Sequence, residues 1–469
     1  MLSRDTMLDN STAAQATAIS IRPPSLPGLP VLGHLLEMRR DPLGTLRGLA
    51  ARGDVTVLKL GLHHAHLIVL PEHLEKVLLD DRYQKQFRTY RKMKLVLGEG
   101  LVTSNGARWK ASRQLAQPGF HRAQIAASAA VMARAAQVRC DGWVEGERDL
   151  LAEMLGLSEQ IISAALFGAE GEIGTKGQIG VKPAGGEVGE AGAAAREGIA
   201  AALGEASSQL SRRMLQIVDL PLWVPTRANR RLRAAIATID DRVEGFVAAR
   251  LAGPPRDDLL GLLLAAELDP RQLRDELVTL FTAGQETVGC ALAWLFWLLS
   301  RHPEAERALH DELASVLSGR APAVSDLARL PWTRMIVQET LRLHPPLWLL
   351  NRTATEEDEL GGVRIRKGSQ VFFSPYLTHR HPALFRDPDA FRPERFLDEA
   401  RWPRFAFLPF SGGPRQCIGH AFAMVELQIV LATVAQQWRL SSPDGRDPEP
   451  DPGVTLRPKG GLRLRLSRR

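Results

Sequence analysis

The sequence predicts a mainly α-helical protein with a small β region. Between about residues 72 and 319, apolar residues recur at helical spacing with one interruption. Short alternating or β-branched runs are confined to either side of that block. Hydrophobic content of 45% and charged content of 24% over 469 residues are ordinary for a globular chain with a sizeable core.

Taken in order, residues 1–21 are rich in Ser, Thr, Asp, Asn and Gln and are expected to form a disordered tail. They make neither a signal peptide nor a membrane anchor, and no run of about 18 apolar residues free of charge follows anywhere. Pro23, Pro24, Pro27 and Pro30 mark an extended segment. Residues 55–60 and 66–70 read as a hairpin. Residues 193–217 and 229–251 read as amphipathic helices, joined by the apolar turn Leu220-Pro221-Leu222-Trp223-Val224-Pro225. That turn is either packed on its neighbours or a lid over a lipophilic site. Residues 169–192, rich in Gly, Glu and Lys, read as a flexible insertion. Helices are expected over 272–301, 304–317 and 332–343, and strands over 363–365, 370–374 and within 454–466. No internal repeat is present, and residues 22–469 are expected to form one domain.

The net charge of +7 gives a basic surface, either simply solvated or suited to an acidic partner. No basic stretch is interleaved with aromatics, so nucleic-acid binding is not expected. Three cysteines, Cys140, Cys290 and Cys417, make no disulfide framework and fit a reducing cytoplasm. Cys290 reads as a small packing residue. His63, His64 and His66 have no second ligand group nearby and read as surface or turn residues.

The most informative stretch is Phe410-Ser411-Gly412-Gly413-Pro414-Arg415-Gln416-Cys417-Ile418-Gly419. It places a cysteine on a glycine-rich loop leading into an apolar helix expected to start near Ile418. Free N–H groups at a helix start favour a thiolate there and suit a metal-bound sulfur. Arg415 can pair with an anionic group on a ligand. The order F-x-x-G-x-R-x-C-x-G resembles the haem-binding loop of the cytochrome P450 family. The resemblance extends over nearly the whole chain, and further motifs follow in the family's order.

Ala283-Gly284-Gln285-Glu286-Thr287 resembles the family's oxygen-activating motif. The resemblance implies a groove at Gly284, a hydroxyl at Thr287 that orients dioxygen and water, and proton relay through Glu286. Val288 departs from the hydroxyl residue usual at that position. Trp109-Lys110-Ala111-Ser112-Arg113 resembles the family's W-x-x-x-R helix. Trp109, Arg113, Arg352 and Arg415 would hold the haem propionates, Phe410 would cover the cysteine sulfur and keep water from it, and Gly413 is expected among the cofactor-binding residues. Glu339-Thr340-Leu341-Arg342 and Phe391-Arg392-Pro393-Glu394-Arg395-Phe396 would form a buried Glu339–Arg342–Arg395 lock behind the cysteine loop.

The resemblance implies the P450 fold, haem b with Cys417 as the iron ligand, and monooxygenation of a lipophilic small molecule: a terpenoid, fatty acid or polyketide. The runner-up readings are a peroxygenase or isomerase on the same fold and a non-catalytic haem sensor. About 50 residues follow Cys417, too few for an electron-transfer domain of on the order of 100. A separate ferredoxin or flavodoxin with its reductase is therefore expected, and the protein is expected to be a cytoplasmic monomer.

Overall fold

The computed structural model describes residues 23–61, 63–86, 88–167, 190–214, 216 and 220–469. The expected tail over 1–21 and most of the expected insertion lie outside the described residues; its last positions, 190–192, open a helix.

The chain begins with α1 (Leu35–Arg40), α2 (Pro42–Ala50) and the hairpin β1 (Val55–Leu60) and β2 (His63–Ile68). The hairpin thus takes in all three adjacent histidines. His66 is buried in the sheet, where burial lowers its pKa, and is no surface or turn residue. α3 (Pro71–Leu79), β3 (Tyr83–Gln84), α4 (Arg88–Leu97) and α5 (Gly106–Ala116) lead to α6 (Arg122–Asp141). β4 (Gly146–Asp149), α7 (Leu150–Phe167), α8 (Glu190–Met214), α9 (Arg227–Leu251) and α10 (Leu259–Ala265) follow. Then come the long α11 (Pro270–Arg301), α12 (Pro303–Leu317) and α13 (Pro331–Leu343). β5 (Leu350–Ala354), β6 (Asp358–Leu360), β7 (Val363–Ile365), β8 (Gln370–Phe373) and α14 (Pro375–Thr378) precede α15 (His420–Gln437). β9 (Trp438–Ser441), β10 (Pro450–Pro452), β11 (Leu456–Pro458) and β12 (Arg463–Arg468) end the chain.

The three helices from α11 to α13 each start one or two residues earlier than the periodicity predicts, because each opens on a proline at its first position. Proline has no N–H to lose there and its φ is already helical. At α11 the Asp269 carboxylate also accepts the Gln272 N–H at 3.0 Å.

The β region is a five-stranded sheet ordered β1-β2-β8-β5-β3, parallel only between β2 and β8. A second sheet, β4-β12-β9, joins the middle of the chain to its end. The main core packs α6, α7, α11, α13 and α15 together. Trp294 of α11 and Leu427–Ala435 of the last helix are almost wholly buried, which accounts for the largely apolar sequence of the latter. Cys290 is fully buried on α11, and burial pushes its thiol up to about 12. Among the described residues, no helix is long and apolar enough to cross a membrane.

Candidate active site

The cysteine loop is shaped by backbone close approach. Gly413 has φ +68°, and a Cβ there would lie 2.3 Å from the Leu78 carbonyl oxygen of α3. Only glycine allows that contact. Gly413 therefore seats the loop on α3 and is not among the residues lining the cavity. One 3₁₀ turn, Gly413–Arg415, follows. The Cys417 N–H then donates to the Phe410 carbonyl at 3.0 Å, closing the loop around the sulfur. α15 begins at His420, two residues later than expected.

Cys417 opens onto a cavity of about 630 Å³ that is also lined by Phe410, Trp109, Arg113, Arg352 and Arg415. The sulfur is accessible from the cavity while protein encloses it on its other sides. Burial pushes its thiol up, and the Gly419 N–H, Arg113 and Lys85 pull it only partly back. The helix-start effect read from the sequence is real but smaller than the desolvation it works against.

Four cations meet at this wall. Arg113 donates to the Gln416 carbonyl (2.7 Å) and to Gln117 Oε1 (3.1 Å). Arg415 donates to the Ser104 carbonyl and to Asn105 Oδ1, both at 2.9 Å, and stacks over Trp109 with its Cζ 4.0 Å from the ring centre. Arg352, 3% exposed, donates to the Asn351 carbonyl at 2.9 Å. Lys85, which the sequence reading missed, donates to the Val102 carbonyl at 3.3 Å and sits over the Tyr90 ring. Burial and the neighbouring Arg352 and Arg415 hold Lys85 well below the usual lysine range; burial and Arg352 lower Arg415 to about 10.

α11 supplies another part of the same cavity: Ala283, Gly284, Glu286, Thr287 and Val288. Thr287 Oγ1 donates to the Ala283 carbonyl one turn back at 2.6 Å. Glu286 accepts from Ser207 Oγ of α8 at 3.0 Å and from Thr455 Oγ1 at 2.5 Å. The expected groove at Gly284 is corrected by its neighbour. A Cβ there would stand 2.6 Å from Ile162 Cδ1, so α7 occupies the space that the missing side chain leaves. Gly289, unremarked in the sequence, does the same against the backbone of Leu155, with a Cβ only 2.9 Å from its Cα. Two glycines one and a half turns apart thus let α7 and α11 pack closely.

The family model described as Cytochrome P450 matches residues 23–464. The chain belongs to the cytochrome P450 family. Among its relatives are cyclooctatin synthase (37% identical, covering 93% of this chain and 92% of the relative) and cyclooctat-9-en-7-ol 5-monooxygenase (34%; 95% and 94%), both from Streptomyces melanosporofaciens. The crystal structure of CYP175A1 from Thermus thermophillus superposes with a TM-score of 0.74 at 29% identity, over 92% of this chain and 97% of that one.

Haem b is the cofactor of P450s, and the cavity fits it. Four buried or half-buried cations whose hydrogen bonds go to neutral acceptors repel one another unless an anion joins them. The two propionates would supply that anion, and a soft thiol opening on the same cavity is the kind of group that would ligate the iron. P450 monooxygenases combine this cofactor with a lipophilic substrate, dioxygen and a redox partner.

Behind the P450 loop, Glu339 accepts from Arg342 Nε (2.7 Å) and Nη2 (2.9 Å), from Arg395 Nε (2.9 Å) and from the Arg392 N–H (2.8 Å). The three side chains read as a lock in the sequence do meet, and Glu339 and Arg342 are wholly buried. His379 carries that rigidity to the loop. Its Nε2 accepts the Leu408 N–H at 2.9 Å, so its Nδ1–H donates to the Arg342 carbonyl at 3.1 Å. Burial lowers its pKa to about 3, which keeps this tautomer neutral.

Leu97, Leu101 and Val102, then Thr279, Leu280, Thr282 and Ala283 of α11, Leu347 to Leu350 and the turn at Pro452 to Thr455 also line the cavity. The turn around Trp223 does not. Trp223 is 76% exposed, and α8 and α4 supply Met214, Ser211 and Met93 to the wall in its place.

Proposed function

We propose that this P450 hydroxylates or epoxidises a terpenoid, of the polycyclic alkene or alkenol kind that its relative's name describes. The observation that carries this reading is the joint wall of the cavity. Leu97, Leu280 and Leu347 to Leu350 offer an apolar surface beside Glu286 and Thr287, with Cys417 opening on the same space. Such a wall binds a hydrocarbon skeleton by excluding water.

When bound, haem supplies the activation of dioxygen and its transfer to carbon. In this reading the chain's residues hold and orient. Cys417 would hold the iron, and Arg113, Arg352 and Arg415, joined by Lys85, would hold the propionates. Phe410 shields the sulfur from water. Thr287 holds a proton at Oγ1, and Glu286 passes protons to it from the side of α8. Electrons come from a ferredoxin or flavodoxin whose acidic surface matches the net charge of +7. The protein works as a cytoplasmic monomer.

The test is the carbon-monoxide difference spectrum of the reduced protein, followed by spin-state titration with terpenoid alkenes, alkenols and fatty acids. A thiolate-type Soret band, lost in Cys417→Ala, together with a spin shift confined to the terpenoids, is the expected outcome. A histidine-type band, or a response to fatty acids alone, refutes the reading.

A further inference from the structure

The turn over residues 452–456 is fixed from beneath. Trp348 Nε1 donates to the Gly453 carbonyl at 2.9 Å, Trp294 Nε1 to the Leu456 carbonyl at 3.0 Å, and the Leu456 N–H to the Pro346 carbonyl at 2.9 Å. On its other side the turn meets α8. The Val454 N–H donates to Ser211 Oγ at 3.0 Å, and Gly453 leaves room for that serine, since a Cβ there would lie 3.1 Å from the same oxygen. One turn back on α8, Ser207 donates to one carboxylate oxygen of Glu286 while Thr455 donates to the other. Ser207 and Thr455 are 6% and 2% exposed, so neither hydroxyl competes with bulk water. One carboxylate on α11 is thereby held by two further elements, α8 and the turn, and both of these line the cavity.

We infer that Ser207 and Thr455 are positioning residues that latch α8 to α11 through Glu286, so that the carboxylate takes up its place on the cavity wall only when α8 is seated on the turn. The inference rests on reading Glu286 as the proton relay. A hydroxyl has a single proton to give, and each here gives it to the carboxylate. Charge-assisted bonds of this kind are among the stronger ones in a protein interior. Lifting α8 removes one of them and lets the Glu286 side chain change rotamer. Cavity opening and proton delivery are then alternatives, which prevents reductant from being spent while the wall is open.

The test compares Thr455→Val, which keeps the shape and removes the hydroxyl, with Thr455→Ser, which keeps the hydroxyl, and adds Ser207→Ala. Two quantities are read in the haem-loaded protein: amide hydrogen exchange across residues 201–214 of α8, and product formed per reductant oxidised. Thr455→Val and Ser207→Ala are expected to speed exchange about tenfold and to lower the yield at least about twofold, with the carbon-monoxide spectrum unchanged. Thr455→Ser is expected to restore both. Unchanged exchange or yield in Thr455→Val, or a serine variant as impaired as the valine one, overturns the latch. Glu286→Gln separates the two readings, because its amide can still bond both hydroxyls but cannot release a proton. Normal exchange with lost yield supports relay and latch together. A wild-type yield in Glu286→Gln overturns the relay, and with it the positioning role, even if α8 loosens in Thr455→Val.

Discussion

Glu426 on α15 is 1% exposed, and burial raises its carboxyl from 4.5 to about 8, against the opposing pull of the Ser158 hydroxyl 3.1 Å away. It is therefore protonated at neutral pH. The folded protein binds this proton more tightly than the unfolded chain does, so the group's stabilising share is complete below pH 4.5 and declines as pH rises to about 8. Glu426→Gln removes that dependence. Urea unfolding across this window should show wild type losing stability relative to the variant as pH increases; a constant difference would mean that the group does not titrate there. Thr287 is a second residue with a separable role. Thr287→Ala is expected to keep haem and its carbon-monoxide spectrum while diverting reductant to peroxide, and unchanged coupling would remove it from proton delivery. Cys417, Arg415 and Thr287 could be read from the sequence because their neighbours along the chain carry the pattern. Lys85, His379, Glu426, Ser207 and Thr455 could not. Apart from Lys85, each reaches its partner across tens to hundreds of residues, as Thr455 reaches Glu286 169 positions earlier, and no local spacing marks any of them.

Helix packing decides what the two α11 glycines tolerate. Alanine in a helix gains about 1 kcal/mol over glycine in intrinsic propensity. At Gly284 the obstructing atom is the end of the Ile162 side chain, which can rotate away, so Gly284→Ala should leave stability nearly unchanged. At Gly289 the obstruction includes the Leu155 backbone, which moves only with α7. Overpacking of this kind costs about 1–3 kcal/mol and should outweigh the propensity gain. Denaturant midpoints that rank Gly289→Ala clearly below Gly284→Ala would bear this out, and the reverse order would show that the two helices are free to separate. Helices α11 to α13 were legible to within one or two residues of their proline starts, whereas α2, which also opens on a proline behind an acidic cap, was not read. Strand β3 and the pairing of β2 with β8 were not, because two-residue strands and a parallel contact between His66 and Val371 leave no periodic signal.

Across the whole molecule, two polar assemblies frame one apolar cavity. The Glu339–Arg342–Arg395 lock sets a carboxylate between its two guanidiniums and hands its rigidity through His379 to Leu408, two residues ahead of Phe410. The cluster of Lys85, Arg113, Arg352 and Arg415 is the opposite case, since its hydrogen bonds bring no compensating charge. Order along the chain disclosed the first, since the E-x-x-R and P-E-R-F motifs are local. It disclosed only three of the four cations in the second, because Lys85 lies outside any motif.

That imbalance makes haem a ligand for folding as well as a reagent. Whatever binds the native state alone stabilises it by mass action, and a dianion entering a nest of like charges does so strongly. The haem-depleted protein should melt several degrees lower than the loaded one. Neutralising Arg352 as Arg352→Met should narrow that gap by raising the depleted protein's melting temperature, and calorimetry of the four species decides it. A cell short of iron would then be short of this protein too, because chains left with a cluster of uncompensated cations spend more time unfolded and within reach of proteases.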